Sequence, residues 1–236
     1  MALSDAQIER FSRQIILPQI GGTGQQRLLG ASVALAGEGD LARIAALYLA
    51  GAGVGRIEVH RADGHRLADD LVDLDPEIAV RTSRRPLSEA VCDVSVACDL
   101  PLAEIEAAAA VGRPLIAGGT DGSRGWLVVA TAEPGGGCAN CAARAATGRH
   151  PPKSSGRTGG IAAERISSVR PELVEGRAAL SSATAGVVGS LAALSVLKLL
   201  LGLGGSSQSV WLQFDAARST LTEHPITRAE DCPVCR

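Results

Sequence analysis

Six cysteines stand at positions 92, 98, 138, 141, 232 and 235, and four of them form two C-x-x-C pairs, Cys138-Ala139-Asn140-Cys141 and Cys232-Pro233-Val234-Cys235. Two intervening residues let both sulfurs of a pair reach one ion from a tight turn. Two such turns complete a tetrahedral four-thiolate zinc site with bonds of about 2.3 Å. In a reducing compartment this outranks structural disulfides, because ordinary thiols there stay reduced. A redox C-x-x-C more often stands at a helix start after a strand and needs only one pair, so the second pair favours metal. The expectation is a structural zinc at Cys138, Cys141, Cys232 and Cys235 that ties the last residues back to the middle of the chain. Cys92 and Cys98 flank an apolar strand and read as packed core residues.

A second group is Gly37-Glu38-Gly39-Asp40-Leu41-Ala42, which matches G-x-G-x-x-[GA]. It follows an apolar run and opens a helical pattern, the context in which backbone N–H groups and a helix N-terminus face a phosphate. Glu38 and Asp40 oppose that use, since a like-charge pair at 4 Å costs up to about 4 kcal/mol at an effective dielectric of 20. The other reading is a tight strand-to-helix turn with two acids well placed on the helix dipole. Both stay open.

The elements that must position these groups follow from the hydrophobic period. Val33 to Ala36 and Ile57 to Val59 are short strands on either side of a helix over Leu41 to Ala52, a βαβ opening. Such a unit implies a parallel sheet with its ligand crevice beyond the carboxyl ends of the strands. Asp93 to Ala97 and Pro114 to Ala117 are further strands, separated by an alanine-rich helix near Ala103 to Val111. Trp126 to Ala130 begins an antiparallel portion, and a helix over Ala183 to Leu201 precedes a strand at Ser209 to Phe214. Ile8 to Leu29 reads as an amphipathic arm broken by Pro18 and Gly21-Gly22, and Gly148 to Gly160 is a loop by composition.

Composition narrows the partners. With 23 basic and 25 acidic residues the net charge is only -2, which leaves no electrostatic footprint for nucleic acid. Aromatic residues are 2% of the chain, too few for a base-stacking surface. The N-terminus is polar and lacks a secretory signal, so a cytoplasmic location is expected. The apolar stretch Ala183 to Leu203 has the length of a membrane span. It carries Lys198, Ser190, Ser195 and two glycines, and is read as a buried core helix with no membrane partner.

The chain resembles the ThiF/MoeB/HesA proteins, relatives of ubiquitin-activating enzymes. The likeness is carried by Phe11 to Pro18, Gly24-Gln25-Gln26-Arg27-Leu28-Leu29, Val33 to Ala42 and Tyr48 to Ile57. The paired cysteines and Gly189-Ser190-Leu191 with Leu197 to Leu200 extend it nearly to the C-terminus. The resemblance implies one α/β domain over residues 1–236, with a Rossmann-like, mostly parallel sheet that has helices on both faces and continues into an antiparallel portion. Residues 1–30 would be an N-terminal arm and 31–130 the nucleotide-binding-type half. Residues 131–236 would carry the crossover loop, the core helix and a C-terminal zinc staple. It further implies a dimer, and ATP- and magnesium-dependent adenylation of the C-terminal glycine of a small ubiquitin-like sulfur carrier.

Several family positions differ. Asp40 stands where the family has glycine, and Arg61 stands at the ribose-binding acid, leaving Asp63 as the acid nearby. Ala68 to Val72 lacks the family's asparagine and arginine, and the helix with its phosphate-binding lysine is deleted. Cys98-Asp99-Leu100-Pro101 replaces a Cys-Thr-Asp-Asn turn, so Asp99 substitutes for the magnesium-holding aspartate only after a one-residue shift. No cysteine lies between Thr147 and Ser190 to accept an acyl group. Arg13 matches an arginine that reaches across the family dimer, or pairs locally with Asp5 or Glu9. Gly37, Gly39 and Asp63 are the candidate nucleotide contacts; Arg13 and Asp99 are the candidate catalytic residues.

The expected function is a family member with an impaired ATP site that acts as a zinc-stabilised partner-binding protein. The alternatives are an active adenylyltransferase for a small sulfur carrier, and a non-catalytic subunit donating Arg13 to an active paralogue in a heterodimer.

Overall fold

The computed structural model describes residues 3–60, 64–131, 141, 175–204, 209–226, 228–230 and 232. Asp63, Cys138 and Cys235 lie outside them.

The arm is three short helices. α1 (Asp5–Arg10) starts at a capping box, in which Ser4 Oγ accepts from the Gln7 amide and the Gln7 side chain accepts from the Ser4 amide. α2 (Ser12–Ile15) is a single turn, and α3 spans Gly21–Gly30. The expected break at Pro18 is observed, since residues 16–20 are not helical, whereas Gly21-Gly22 does not break the arm: Gly21, at φ +59, opens α3 instead. Arg10 clips the arm to the body through the Leu74 carbonyl at 3.1 Å and Asp75 at 3.3 Å.

Next come β1 (Ser32–Gly37), α4 (Gly39–Gly51), β2 (Arg56–His60), α5 (Gly64–Leu74) and β3 (Ala79–Ser83). They are followed by a 3-10 turn at Leu87–Glu89, β4 (Val94–Cys98), α6 (Leu102–Ala109) and β5 (Leu115–Asp121). These five strands are parallel in the order β3-β2-β1-β4-β5. β6 (Arg124–Ala130), β7 (Val210–Asp215) and β8 (Thr220–Pro225) extend the sheet antiparallel to eight strands. The α/β, mixed but mostly parallel architecture expected from sequence is therefore the one observed.

β1 and β4 are buried on both faces, which is why they read as unbroken apolar runs. Val33, Leu35, Val94 and Val96 point into a core with α4, α5 and α7 (Glu175–Leu201), whereas Ala34, Ala36 and Ala97 face α6 and the 3-10 turn. α7 is the apolar segment that has the length of a membrane span, and it lies on the sheet with Ala192, Ala193 and Val196 fully covered. Gly189 is what lets it approach so closely, because a Cβ there would stand 2.8 Å from the Leu41 carbonyl oxygen on α4.

Candidate functional site

Strand order reverses between β1 and β4, because the chain runs outward from β1 to β3 and then returns to the other side of β1. Where neighbouring connections leave in opposite directions, a crevice opens beyond the carboxyl ends of the strands. Gly37 and Cys98 are register partners at that point. Gly37 has φ +136, and a Cβ on it would overlap the carbonyl oxygen and Cβ of Cys98. Gly39 differs. Its φ of +77 also demands glycine, but a Cβ there would meet nothing within 4 Å, so the second glycine fronts open space.

α4 begins directly beneath this space, with Glu38 as its N-cap residue and Asp40 in its first turn; the Glu38 side chain makes no capping hydrogen bond. Both acids are exposed. They therefore complement the helix dipole and place negative charge where the helix N-terminus would otherwise attract an anion. The two readings of this turn thus describe the same residues. Arg43, one turn further on, is engaged with Asp70 of α5 at 3.0 Å.

Asp99 follows β4 on the opposite wall. It sits in left-handed backbone at φ +51, a conformation Asp and Asn adopt more readily than other side chains. Its amide donates to the Gly118 carbonyl at 2.8 Å, and its Oδ1 accepts from the Thr120 amide at 2.8 Å. The surrounding strand ends desolvate the carboxyl and push it above the ordinary aspartate range, while the Thr120 hydrogen bond opposes the shift. The side chain keeps contact with solvent, so the effect is modest. Cys98 is fully buried, and burial together with the Asp99 charge pushes its thiol up, as fits a core residue rather than a nucleophile. Cys92 packs at the rim of the cluster on the other face of the sheet, 3.5 Å from Ser95 Oγ.

β2 ends on a residue that the sequence pattern did not single out. The His60 side chain is 2% exposed, with Nδ1 2.9 Å from the Arg85 carbonyl. A carbonyl only accepts, so Nδ1 carries a proton. Nε2 lies 3.2 Å from a Glu58 carboxylate oxygen, within ion-pair reach but out of line for a hydrogen bond. The available signal was a polar ring closing an otherwise apolar strand end.

Arg13 is exposed in α2 and makes no ion pair among the described residues. The local pairing with Asp5 or Glu9 does not form.

Of the four paired cysteines, Cys141 and Cys232 fall within the described residues. They are 2% and 1% exposed and share one apolar cluster with Ile226, Val128 and Ala130, although they are far apart in sequence. The Ala229 amide donates to Cys141 Sγ at 3.3 Å, and the Cys232 amide donates to the Ala229 carbonyl at 3.1 Å. An N–H directed at a buried sulfur stabilises thiolate, and the donor set suits zinc.

The ThiF family model matches residues 97–234. The sulfur carrier protein ThiS adenylyltransferase of Escherichia coli (strain K12) is 32% identical over 266 residues, covering 99% of this chain and 97% of that protein. Adenylyltransferase and sulfurtransferase MOCS3 of Aedes aegypti is 29% identical over 99% of this chain but only 56% of its own length, so the chain spans about half of that relative. Among solved structures, E. coli MccB with ATP matches with a TM-score of 0.70 and 16% identity over 96% of this chain and 73% of MccB, a likeness of fold.

Proposed function

The chain belongs to the ThiF family, and from that premise we propose that it binds the C-terminal tail of a small ubiquitin-like carrier protein while its own ATP site is impaired. The relatives are sulfur-carrier adenylyltransferases by name. Adenylation turns a poor carboxylate electrophile into an activated acyl phosphate, and the protein's share of that chemistry is cationic and magnesium stabilisation of the phosphates. One observation carries the reading of impairment: the open face of the glycine turn is flanked by Glu38 and Asp40, and the cation one turn beyond, Arg43, is held by Asp70. These residues do not fit a magnesium-bound triphosphate. Pyrophosphate exchange with candidate carriers tests the proposal. Negligible exchange alongside measurable carrier binding is expected, and robust exchange at ordinary ATP concentrations would overturn it.

A working adenylyltransferase is the second reading, favoured by the position of Asp99 on the crevice wall next to the register partner of Gly37. It requires Asp99, Asp63 and Arg13 to act together, and ATP with magnesium to give binding heat.

Zinc at Cys138, Cys141, Cys232 and Cys235 belongs to the same proposal. Bound there, it would be a closed structural centre, with no open position for catalysis. This chain's own residues then hold the C-terminal segment against the second face of the sheet. We further propose that the protein works as a homodimer or beside a paralogue. Exposed Tyr48 on α4 (58%), Leu194 on α7 (52%) and Ile16 after α2 (75%) supply apolar surface, and Arg13, which makes no ion pair among the described residues, would reach a neighbour's site. Sedimentation of the wild type against Leu194→Asp measures this, with a shift toward monomer expected.

A further inference from the structure

The end of the sheet opposite the crevice carries a cavity of about 640 Å³. Its place follows from the topology. Asp93 and Pro114 stand immediately before β4 and β5, at the amino ends of parallel strands, and Arg27 lies in the last turn of α3, just before β1. The last turn of α7 supplies Leu199 and Leu200, which with Val94 and Pro114 form an apolar wall.

Two opposite charges line this one cavity without meeting. Asp93 is held in place by Ser32, whose amide and hydroxyl donate to Oδ2 at 2.8 and 2.7 Å, while the Asp93 amide donates back to the Ser32 carbonyl at 2.9 Å. One carboxylate oxygen is thus fixed to the start of β1, and Oδ1 takes no hydrogen bond among the described residues. Arg27 makes no ion pair among them, either with Asp93 or with another acid. The carboxyl ends of α3, at Gly30, and of α7, at Gly202, also reach the cavity, and their dipoles add partial negative charge to its walls.

We propose that this cavity binds a short apolar peptide with both termini free, its ammonium group on Asp93 and its carboxylate on Arg27. A zwitterion suits walls that carry one charge of each sign. A simple anion would meet Asp93 and two helix carboxyl ends, and a simple cation would meet Arg27. The guanidinium offers a carboxylate two parallel N–H donors, and Oδ1 of Asp93 accepts from an ammonium. Cavities of roughly 300–1,000 Å³ enclose ligands larger than a single amino acid, so this one has room for a dipeptide whose side chains lie against Val94, Pro114, Leu199 and Leu200. Cavity and crevice lie at opposite ends of β1 and β4, and the inference depends on neither carrier binding nor the state of the ATP site.

Calorimetry on the full chain with leucyl-leucine, N-acetyl-leucyl-leucine, leucyl-leucine amide and glycyl-glycine decides it. Leucyl-leucine is expected to bind about five-fold more tightly than either blocked form, the increment of one partly exposed ion pair. It should exceed glycyl-glycine, which lacks the apolar side chains, by at least about ten-fold. Asp93→Asn keeps an acceptor for the Ser32 donors; in it the free peptide should lose its advantage over the acetylated one and retain its advantage over the amide. Arg27→Gln should do the reverse, and Arg218→Gln, on the β7–β8 hairpin, should change neither. The wild-type comparison of free and blocked peptides stands even where a variant fails to fold. Equal affinity for the free peptide and either blocked form, an advantage that survives removal of its charge, or no binding heat at about 10 mM leucyl-leucine would overturn the proposal.

Discussion

Gly37 and Cys98 face each other in parallel register at the carboxyl ends of β1 and β4, so close that no side chain fits between them. Two independent constraints, a φ of +136 and contact with the Cys98 backbone, act on a single glycine. Gly37→Ala is expected to cost about 2–4 kcal/mol. Urea denaturation of the variant measures it, and a loss under about 1 kcal/mol would show that the turn yields.

Gly39 two residues later is subject to only the first of those constraints, so the neighbouring acid can be tested without disturbing packing. Asp40→Gly removes an exposed charge from the first turn of α4. Affinity for magnesium–ATP should rise by roughly 2 kcal/mol, about thirty-fold, if that carboxylate limits binding. Calorimetry against the wild type checks the direction first: an unchanged affinity would place the obstruction elsewhere in the crevice.

Asp99 gives a pH signature. Its carboxyl is shifted up from the ordinary 3.8, so between that value and its folded-state value the native chain holds more proton than the unfolded chain. Stability from this group is complete below pH 3.8 and is lost as pH rises through the folded value. Asp99→Asn keeps the acceptor for the Thr120 amide and tolerates φ +51. The variant should match the wild type in acid and exceed it at neutral pH, by a small margin because the side chain is partly solvated. A variant less stable than wild type at pH 7 would contradict the assignment.

The cysteine cluster predicts metal-linked stability. Removal of zinc by a chelator, or Cys232→Ser, should lower the melting temperature by about 10 °C, since binding energy at a structural zinc is folding energy. Cys92→Ser, at the rim of the core and outside the paired set, should move it far less. An unchanged melting temperature in a verified metal-free sample would count against the staple.

Much of the parallel half was legible because β1 and β4 are buried on both faces and α4 carries a clear apolar stripe. The G-x-G-x-x-[GA] run sits where the pattern places it, since φ above zero at Gly37 and Gly39 is a local demand that sequence records directly. β8 was not read. Its alternation is weak because Thr220 to Glu223 are exposed on an edge that only β7 covers. His60 and Thr120 escaped for another reason: their roles depend on which strand lies alongside, and register is settled by packing between elements distant in sequence. The arm's break at Pro18 was legible, but the second one at Gly21-Gly22 was not there, because Gly21 reads equally as a helix breaker or as the left-handed entry to α3.

The chain has two tryptophans, and Trp126 on β6 and Trp211 on β7 both pack beside the cluster that holds Cys141 and Cys232. Trp211 also stacks on its register partner His224, with ring centroids 5.2 Å apart. Intrinsic fluorescence therefore watches one side of the molecule, around the antiparallel strands and the cysteine segment. Backbone circular dichroism sums over the whole sheet and its helices. Melts followed by the two signals should coincide while the cysteine segment stays docked and separate once it is released, so comparing a pair of optical traces times the detachment of one half from the other.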